Sequence, residues 1–239
     1  MTDRIIKTLM LLVFIVNVNA QSSKVWQGVV YPKDLDTFLQ GQYTTIEGNL
    51  EIYKTNLTNL AQLKSLKMVK GNVYIGIYDY KRNLEEGNES LTSLEGLENL
   101  TEVSGELVIR DNELLDNIDA LKKLKKVQRL NISYNPMLRN IEGLSNLSGE
   151  LLGGLQVYKN KRLQDISQLS GITLVGQHLV VNSNLSIRSL EGLHNIKAVK
   201  DGYLGIRSNA NLKDLKGLRK LSTVDEEVQI NSNPLIESL

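Results

Sequence analysis

The chain has 239 residues, of which 28 are lysine or arginine and 27 are aspartate or glutamate, and it contains no cysteine. This length can bury a hydrophobic core without disulfides. The balanced charge argues against nucleic acid or an anionic membrane as a partner. Because there are only two histidines and no cysteine, neither a zinc cluster nor a thiol nucleophile can be assembled, and we expect no cofactor.

Residues 1–20 have the layout of a secretory signal peptide. Arg4 and Lys7 precede a short apolar run, and Ala20 stands at a small-residue cleavage position. An uncleaved membrane anchor is the alternative, but the run is much shorter than the roughly 20 residues that a span needs. We therefore expect an exported protein, secreted, periplasmic or at the cell surface, with no transmembrane segment in the mature chain.

Residues 21–45 are expected to form an N-terminal cap. The sequence predicts a short strand over residues 29–31 and a helix that has Pro32 in its first turn and ends at Gly41. Leu35 and Phe38 supply an apolar stripe. Such a helix would cover the exposed apolar edge of the first repeat that follows.

From residue 46 to residue 239 the chain is repetitive. Pairs of apolar residues separated by one position indicate short strands with one face turned inward. The second members of successive pairs are 23 to 25 residues apart, except for one interval of 34 that indicates an insertion in the second repeat. The spacing predicts a mainly β fold, a parallel β-solenoid of about eight coils. The pairs are Leu50/Ile52, Val73/Ile75, Leu107/Ile109, Leu130/Ile132, Leu155/Val157, Leu179/Val181, Leu204/Ile206 and Val228/Ile230.

An asparagine follows six of the eight pairs at the same distance. Asparagine can bond to backbone groups of its own turn and of the neighbouring one, and it tolerates left-handed backbone at tight corners. We interpret these residues as a structural ladder through the stacked repeats, and not as ligand-binding groups. The ladder consists of Asn112, Asn135, Asn160, Asn184, Asn209 and Asn233.

The outward face of the strands is the candidate binding surface, because it mixes the residue types that recognise proteins and glycans. The alternative interpretation is an ordinary polar face whose tyrosines reflect strand propensity. Outward polar positions also include Glu106, Arg129, Asn131 and Gln156. The candidate binding residues are Tyr53, Tyr74, Tyr78, Tyr80, Arg110, Tyr158, His178, Tyr203 and Arg207.

The segments GQYTTIEGNLEI, VSGELVIRDN, LEGLENLTEV and LEGLHNIKAV resemble the receptor L-domain family, the leucine-rich-repeat-like β-helices of growth-factor and insulin receptor ectodomains and of many secreted bacterial proteins. The resemblance covers residues 28–239. It implies a right-handed leucine-rich-repeat-like solenoid with a short N-terminal capping helix. Animal members carry disulfides, so the absence of cysteine points to a secreted bacterial relative.

Two functions remain open at this point. The first is an exported, non-catalytic recognition module that binds a protein or glycan through the outward sheet face. The second is a structural or adhesive spacer without a specific ligand site. Catalysis by Glu95, Glu142 and Glu191 is disfavoured, since the repeat itself accounts for them and for the corner glycines that follow.

The C-terminal segment NPLIESL contains no capping pattern. We therefore expect an uncovered apolar end and a homodimer formed through it.

Overall fold

The computed structural model describes residues 23–79 and 84–236 of the chain. The expected signal peptide lies outside the described residues. The described part is mainly β, with one α-helix, α1 (Leu35–Gly41), and short 3₁₀ helices between strands. No helix in this part is long and apolar enough to cross a lipid bilayer. Its strands, in chain order, are β1 (Val25–Gln27), β2 (Thr45–Glu47), β3 (Leu50–Ile52), β4 (Met68–Val69), β5 (Val73–Ile75), β6 (Ile77–Asp79), β7 (Leu84–Glu86), β8 (Glu102–Val103), β9 (Glu106–Arg110), β10 (Arg129–Ser133), β11 (Gly149–Leu151), β12 (Leu155–Tyr158), β13 (Ile172–Val175), β14 (Leu179–Asn182), β15 (Ala198–Val199), β16 (Leu204–Arg207), β17 (Thr223–Val224) and β18 (Val228–Asn231).

One parallel sheet contains all eight predicted apolar pairs. Its order is β3-β5-β9-β10-β12-β14-β16-β18, which follows the chain. The register aligns equivalent members of the pairs, so that Leu107 faces Leu130 and Leu130 faces Leu155. The expectation of a mainly β fold built on a long parallel sheet is confirmed.

The apolar residues that recur every third position form the other walls of the core. Several lie in 3₁₀ helices, as Leu121 and Leu193 do, because three residues per turn brings every third side chain to one side. Two further parallel sheets, β1-β2-β4-β8 and β11-β13-β15-β17, contribute residues such as Val69 and Val175. All these side chains belong to one buried cluster with the inward residues of the long sheet.

The N-terminal cap differs in detail from the prediction. The strand expected over residues 29–31 is wrong, since the strand is β1 and only Val30 forms a bridge, to Leu50. A 3₁₀ turn, Pro32–Asp34, precedes α1, and Asp34 accepts a hydrogen bond from the Tyr31 N–H at 2.9 Å. The α1 residues Leu35 and Phe38 are buried in the same core cluster as Leu50 and Ile52 of the first repeat.

The ladder asparagines bond directly to one another. Asn160 Oδ1 accepts from both the backbone N–H and Nδ2 of Asn135, at 3.1 and 3.2 Å, and Asn160 Nδ2 donates to the Ile132 carbonyl at 2.9 Å. The structure adds Asn88, which donates to Asn112, and Thr55, whose hydroxyl donates to Asn88. The ladder therefore extends two repeats further toward the N-terminus than predicted.

Left-handed backbone occurs one residue before the ladder position, and not at the asparagines. Tyr134, for example, has φ 56° and precedes Asn135. None of these corner residues is glycine, so each accepts a conformation that L-residues adopt at a cost of about 1 kcal/mol. The ladder hydrogen bonds hold the corner in this shape. The residues are Lys54, Asp111, Tyr134, Lys159, Ser183, Ser208 and Ser232.

Ser208→Gly is expected to raise the free energy of unfolding by about 0.5–1 kcal/mol, because glycine adopts the φ of 56° at this exposed corner without steric cost. Ser222→Gly is the control, since Ser222 lacks a positive φ and its hydroxyl donates to the Lys197 carbonyl. Urea titrations of both variants measure the difference. If the urea midpoint falls for Ser208→Gly as it does for Ser222→Gly, the left-handed backbone at Ser208 does not carry the expected steric cost.

The insertion of the second repeat is an antiparallel hairpin. Strands β6 and β7 pair with each other, and they lie between β5 and the ladder residue Asn88. The hairpin therefore leaves the long sheet at the end where the corner residues lie. Both flanking repeats keep their register across it, as Ile75 faces Ile109.

Strand β18 is an edge of the long sheet within the described residues. Val228 is 54% exposed there, whereas the equivalent Leu204 on the neighbouring strand is 2% exposed. Association of two copies through this end stays a prediction, and light scattering at high protein concentration tests it.

Candidate functional site

The in-register sheet arranges outward side chains in rows that run from strand to strand. One row contains Tyr74, Val108, Asn131 and Gln156 on β5, β9, β10 and β12. The parallel register is the reason that residues far apart in the chain become neighbours. A second row begins at Arg110 and continues through the ends of the following strands.

These rows form the floor of a depression of about 610 Å³, called here the face depression. It contains side chains from four neighbouring strands, from strand β7 of the inserted hairpin and from the corner that follows β10. Its lining residues are Tyr74, Glu85, Glu106, Val108, Arg110, Arg129, Asn131, Tyr134, Gln156 and Tyr158.

Arg110 lies at the base of the face depression and is 5% exposed. Its guanidinium forms ion pairs with Glu85 of the hairpin and with Asp111, the latter at 2.6 Å. It also donates to the Tyr158 hydroxyl at 3.2 Å and lies 4.7 Å from the centre of the Tyr134 ring. Arg110 thus ties the hairpin to the sheet and positions two tyrosines.

Burial and charge act in opposite directions on this cluster. Burial by itself would lower the pKa of Arg110, but Asp111, Tyr158 and Glu85 raise that pKa above its usual value. Burial raises the pKa of Asp111, although Arg110 opposes this effect. The arginine is therefore firmly cationic and already paired, and it positions the residues around it.

Tyr134 forms one wall of the face depression from its left-handed corner. Its ring packs edge-on against Tyr158, with centroids 5.4 Å apart. Lys159 Nζ donates to the Tyr134 hydroxyl at 2.9 Å and lies 4.5 Å from the centre of its ring. Two cations, Arg110 and Lys159, thus lie close to this ring.

Glu106 and Arg129 begin β9 and β10 and lie at the opposite side of the face depression. Their charged atoms are 4.0 Å apart, and Arg129 also donates to Gln177. Burial raises the pKa of Glu106, and the positive charge of Arg129 only partly offsets the effect. The carboxylate is therefore costly to hold in its charged form at this site.

Glu106→Gln is expected to stabilise the protein more at pH 7 than at pH 4. The pKa of Glu106 in the folded state is raised above 4.5. Its contribution to stability is therefore complete below that pH and is lost as the pH rises through the folded-state pKa. Glutamine does not ionise, so the variant escapes this loss. Thermal midpoints of both proteins at the two pH values measure the effect.

Glu150→Gln, which makes the same substitution at an exposed position in β11, is the matched control. A Glu106→Gln variant whose advantage over the parent protein does not grow between pH 4 and pH 7 would contradict the assignment.

Of the nine candidate binding residues, the structure brings Tyr74, Arg110 and Tyr158 together in the face depression. Tyr53 does not line it and follows β3. Tyr78 belongs to β6, but its side chain is not among those described, and Tyr80 lies outside the described residues.

The other three candidates lie further along the sheet. The rings of His178 and Tyr203 pack with centroids 4.4 Å apart, and the Tyr203 N–H donates to His178 Nδ1 at 3.2 Å. Arg207 donates to the Gln229 side chain at 2.6 Å. None of the three lines the face depression.

The interpretation of the outward strand positions missed Glu85, Asp111, Tyr134 and Lys159. Three of them share a signal that the sequence did contain, since Asp111, Tyr134 and Lys159 each immediately precede a ladder asparagine. Glu85 had no such signal, because the repeat does not define positions inside the insertion.

Two further concave features adjoin the face depression. A groove of about 760 Å³, called here the corner groove, runs along the left-handed corner residues and contains Tyr134, Pro136 and Leu185. A hollow of about 270 Å³, called here the entry hollow, lies before the strands and contains Asn72 and Leu152. Leu152 is 65% exposed.

Within the described residues, no group of three or more histidine or carboxylate side chains is placed to hold a metal ion. His194 pairs with Glu191 at 3.1 Å, and neither histidine lines the face depression. The arrangement offers amides, paired charges and tyrosine rings on a rigid floor, which suits non-covalent recognition.

The comparisons with known proteins add no assignment. No family model matches the chain, and no curated protein matches its sequence. The similarity to the receptor L-domain family therefore rests on the sequence phrases themselves.

Proposed function

We propose that this chain is an exported, non-catalytic recognition module that binds a protein or glycan through the outward face of its long parallel sheet. The observation that carries the proposal is the face depression, where Tyr74, Arg110 and Tyr158 converge from three strands and a hairpin strand closes one side. Tyrosine side chains have only two χ angles and lose little conformational freedom on binding, which favours affinity.

The frame that we propose is a right-handed, leucine-rich-repeat-like parallel β-solenoid of about eight coils with a short N-terminal capping helix, similar to receptor L-domains. Three features support it. The strands of the long sheet pair in chain order. The ladder joins successive repeats. Parallel crossovers are right-handed in nearly all proteins.

Export to the periplasm, the cell surface or the medium is supported by the apolar segment at residues 9–16 behind two basic residues. A non-catalytic role is supported by the pairing of the charged groups in the face depression, where Arg110 is bound to two carboxylates. Arginine is not deprotonated in proteins, so Arg110 does not serve as a general acid or base.

The proposal is tested on arrays of glycans and extracellular proteins, with the parent chain and a variant that carries Tyr74→Ala and Tyr158→Ala. We expect to find a ligand whose affinity for the variant is at least about tenfold lower than its affinity for the parent chain. Tyr31→Ala is the control, because Tyr31 precedes the capping helix and lies outside the face depression. Circular dichroism checks that each variant is folded.

A ligand bound equally by the parent and the double variant would contradict the sheet-face site. If neither array yields a ligand, the alternative of a structural or adhesive spacer is favoured.

A further inference from the structure

The entry hollow, the face depression and the corner groove share lining residues and follow one another in the direction of the strands. Glu106 and Arg129 line both the entry hollow and the face depression. Tyr134 lines both the face depression and the corner groove. Because these features lie before, upon and after the strands, they form one path across the sheet over β9 and β10.

The dimensions of this path suit an elongated ligand. Strands β9 and β10 have five residues each. At about 3.3 Å per residue their ends are about 13 Å apart. The entry hollow and the corner groove adjoin the path at its two ends, and the corner groove also extends across the repeats from Thr55 to Leu185. A single sugar or amino acid would therefore occupy only a part of it.

We propose that this path binds a neutral, linear oligosaccharide that lies along β9 and β10. The inference rests on the proposed function and names the class of ligand for the same face. In this arrangement Asn131 and Gln156 bond to sugar hydroxyls, and Tyr74 and Tyr158 pack against the apolar faces of the sugar rings.

The charges along the path favour a neutral ligand. They are nearly balanced, with five basic and six acidic side chains in the three lining sets. Most pair locally, as in the contacts of Lys54 with Glu86 and of Arg129 with Glu106. The path therefore has no electrostatic potential of a single sign that would attract a highly charged polymer. The charged residues are Lys54, Arg110, Arg129, Lys159 and Lys161, with Glu85, Glu86, Glu89, Glu106, Asp111 and Glu113.

The composition of the face depression favours a sugar over a protein. Val108 is the one aliphatic side chain among its ten lining residues, and it is 5% exposed. The cores of protein interfaces are depleted of charged residues, whereas four of the ten residues that line this depression are charged. Addition of a peptide strand is excluded here, because β9 and β10 each have a neighbouring strand on both sides. Hydroxyl groups, which both donate and accept, match side-chain amides and carboxylates instead.

Calorimetric titration of the chain with defined oligosaccharides tests the proposal. The probes are neutral hexasaccharides of β-linked glucose, mannose and xylose and of α-linked glucose, the corresponding disaccharides, and an oligogalacturonate as the acidic probe. We expect at least one neutral hexasaccharide to bind at least about tenfold more tightly than its disaccharide and than the acidic probe, since it makes contacts along the whole path.

The chain offers a matched pair of glutamines for locating the ligand. Gln156 and Gln229 lie in the same row of the sheet, on β12 and β18, but only Gln156 lines the face depression. Gln156→Ala should weaken binding of the hexasaccharide at least about tenfold. Gln229→Ala should weaken it by less than about twofold. Thermal midpoints of both variants show whether each is folded.

Three results would overturn the inference: no neutral hexasaccharide binds, the acidic probe binds more tightly, or Gln156→Ala and Gln229→Ala have equal effects. These results can be distinguished from a failure of the proposed function. If a protein from the array binds the parent and not the Tyr74→Ala, Tyr158→Ala variant while no oligosaccharide binds, the sheet-face function stands and the oligosaccharide does not.

Discussion

Gly192→Ala is expected to lower the free energy of unfolding by at least about 3 kcal/mol. Gly192 lies in the 3₁₀ helix Glu191–Leu193, and its Cα packs against the backbone of the preceding repeat. A Cβ there would lie less than 3.0 Å from the Ile166 carbonyl oxygen, a distance that real Cβ atoms essentially never show. Backbone cannot rotate away as a side chain can, so the two repeats would have to separate.

Gly205→Ala is the matched control for this prediction. Gly205 is also buried, but its Cβ would meet the Tyr203 ring at 3.1 Å, and a side chain can shift by the small amount required. Urea denaturation of the two variants measures the difference in unfolding free energy. Equal losses would contradict the close backbone approach as the cause. The same approach occurs at Gly96, Gly143 and Gly217, which accounts for glycine at these corners.

Asn160→Ala is expected to cost about 2–3 kcal/mol. Asn160 is fully buried, and its side-chain oxygen is the partner of the Asn135 backbone N–H. Alanine leaves this N–H without an acceptor and removes the donor to the Ile132 carbonyl. The loss of an acceptor for a buried N–H is more costly than the loss of an exposed hydrogen bond, because water cannot replace the missing partner.

Asn146→Ala provides the comparison, since Asn146 is exposed and donates to the Lys122 carbonyl at 2.7 Å. We expect it to cost less than about 1 kcal/mol. Denaturant midpoints of the two variants, with the slope of the transition monitored, give the comparison. An Asn160→Ala midpoint no lower than that of Asn146→Ala would show that the ladder does not stabilise the fold.

All eight strands of the long sheet could be located from the sequence. Each strand contains a pair of apolar residues, and successive pairs recur at a nearly constant spacing along the chain. Leu107, Leu130 and Leu155 could be aligned by counting alone, and the structure pairs them in that register. Asn88 was missed because the inserted hairpin separates it from its strand. Counting back 24 residues from Asn112 would have found it.

The candidate site was only partly predictable. The alternation of side chains along a strand placed Tyr74 and Tyr158 on the outward face. The alternation could not show that Arg110 is buried, because its ion-pair partner Glu85 comes from a hairpin outside the repeat. The wall formed by Tyr134 depends on its left-handed backbone, which propensity rules disfavour for an aromatic residue.

The amino-acid sequence by itself determined the frame of this protein, since periodic apolar residues and asparagines can all be buried and bonded only if successive repeats stack in register. The tertiary structure decided the site. The face depression depends on contacts across about fifty residues of chain, such as Arg110 to Tyr158, and on the hairpin that leaves the repeat. Contacts of this kind have no period, so only the folded arrangement brings their residues together.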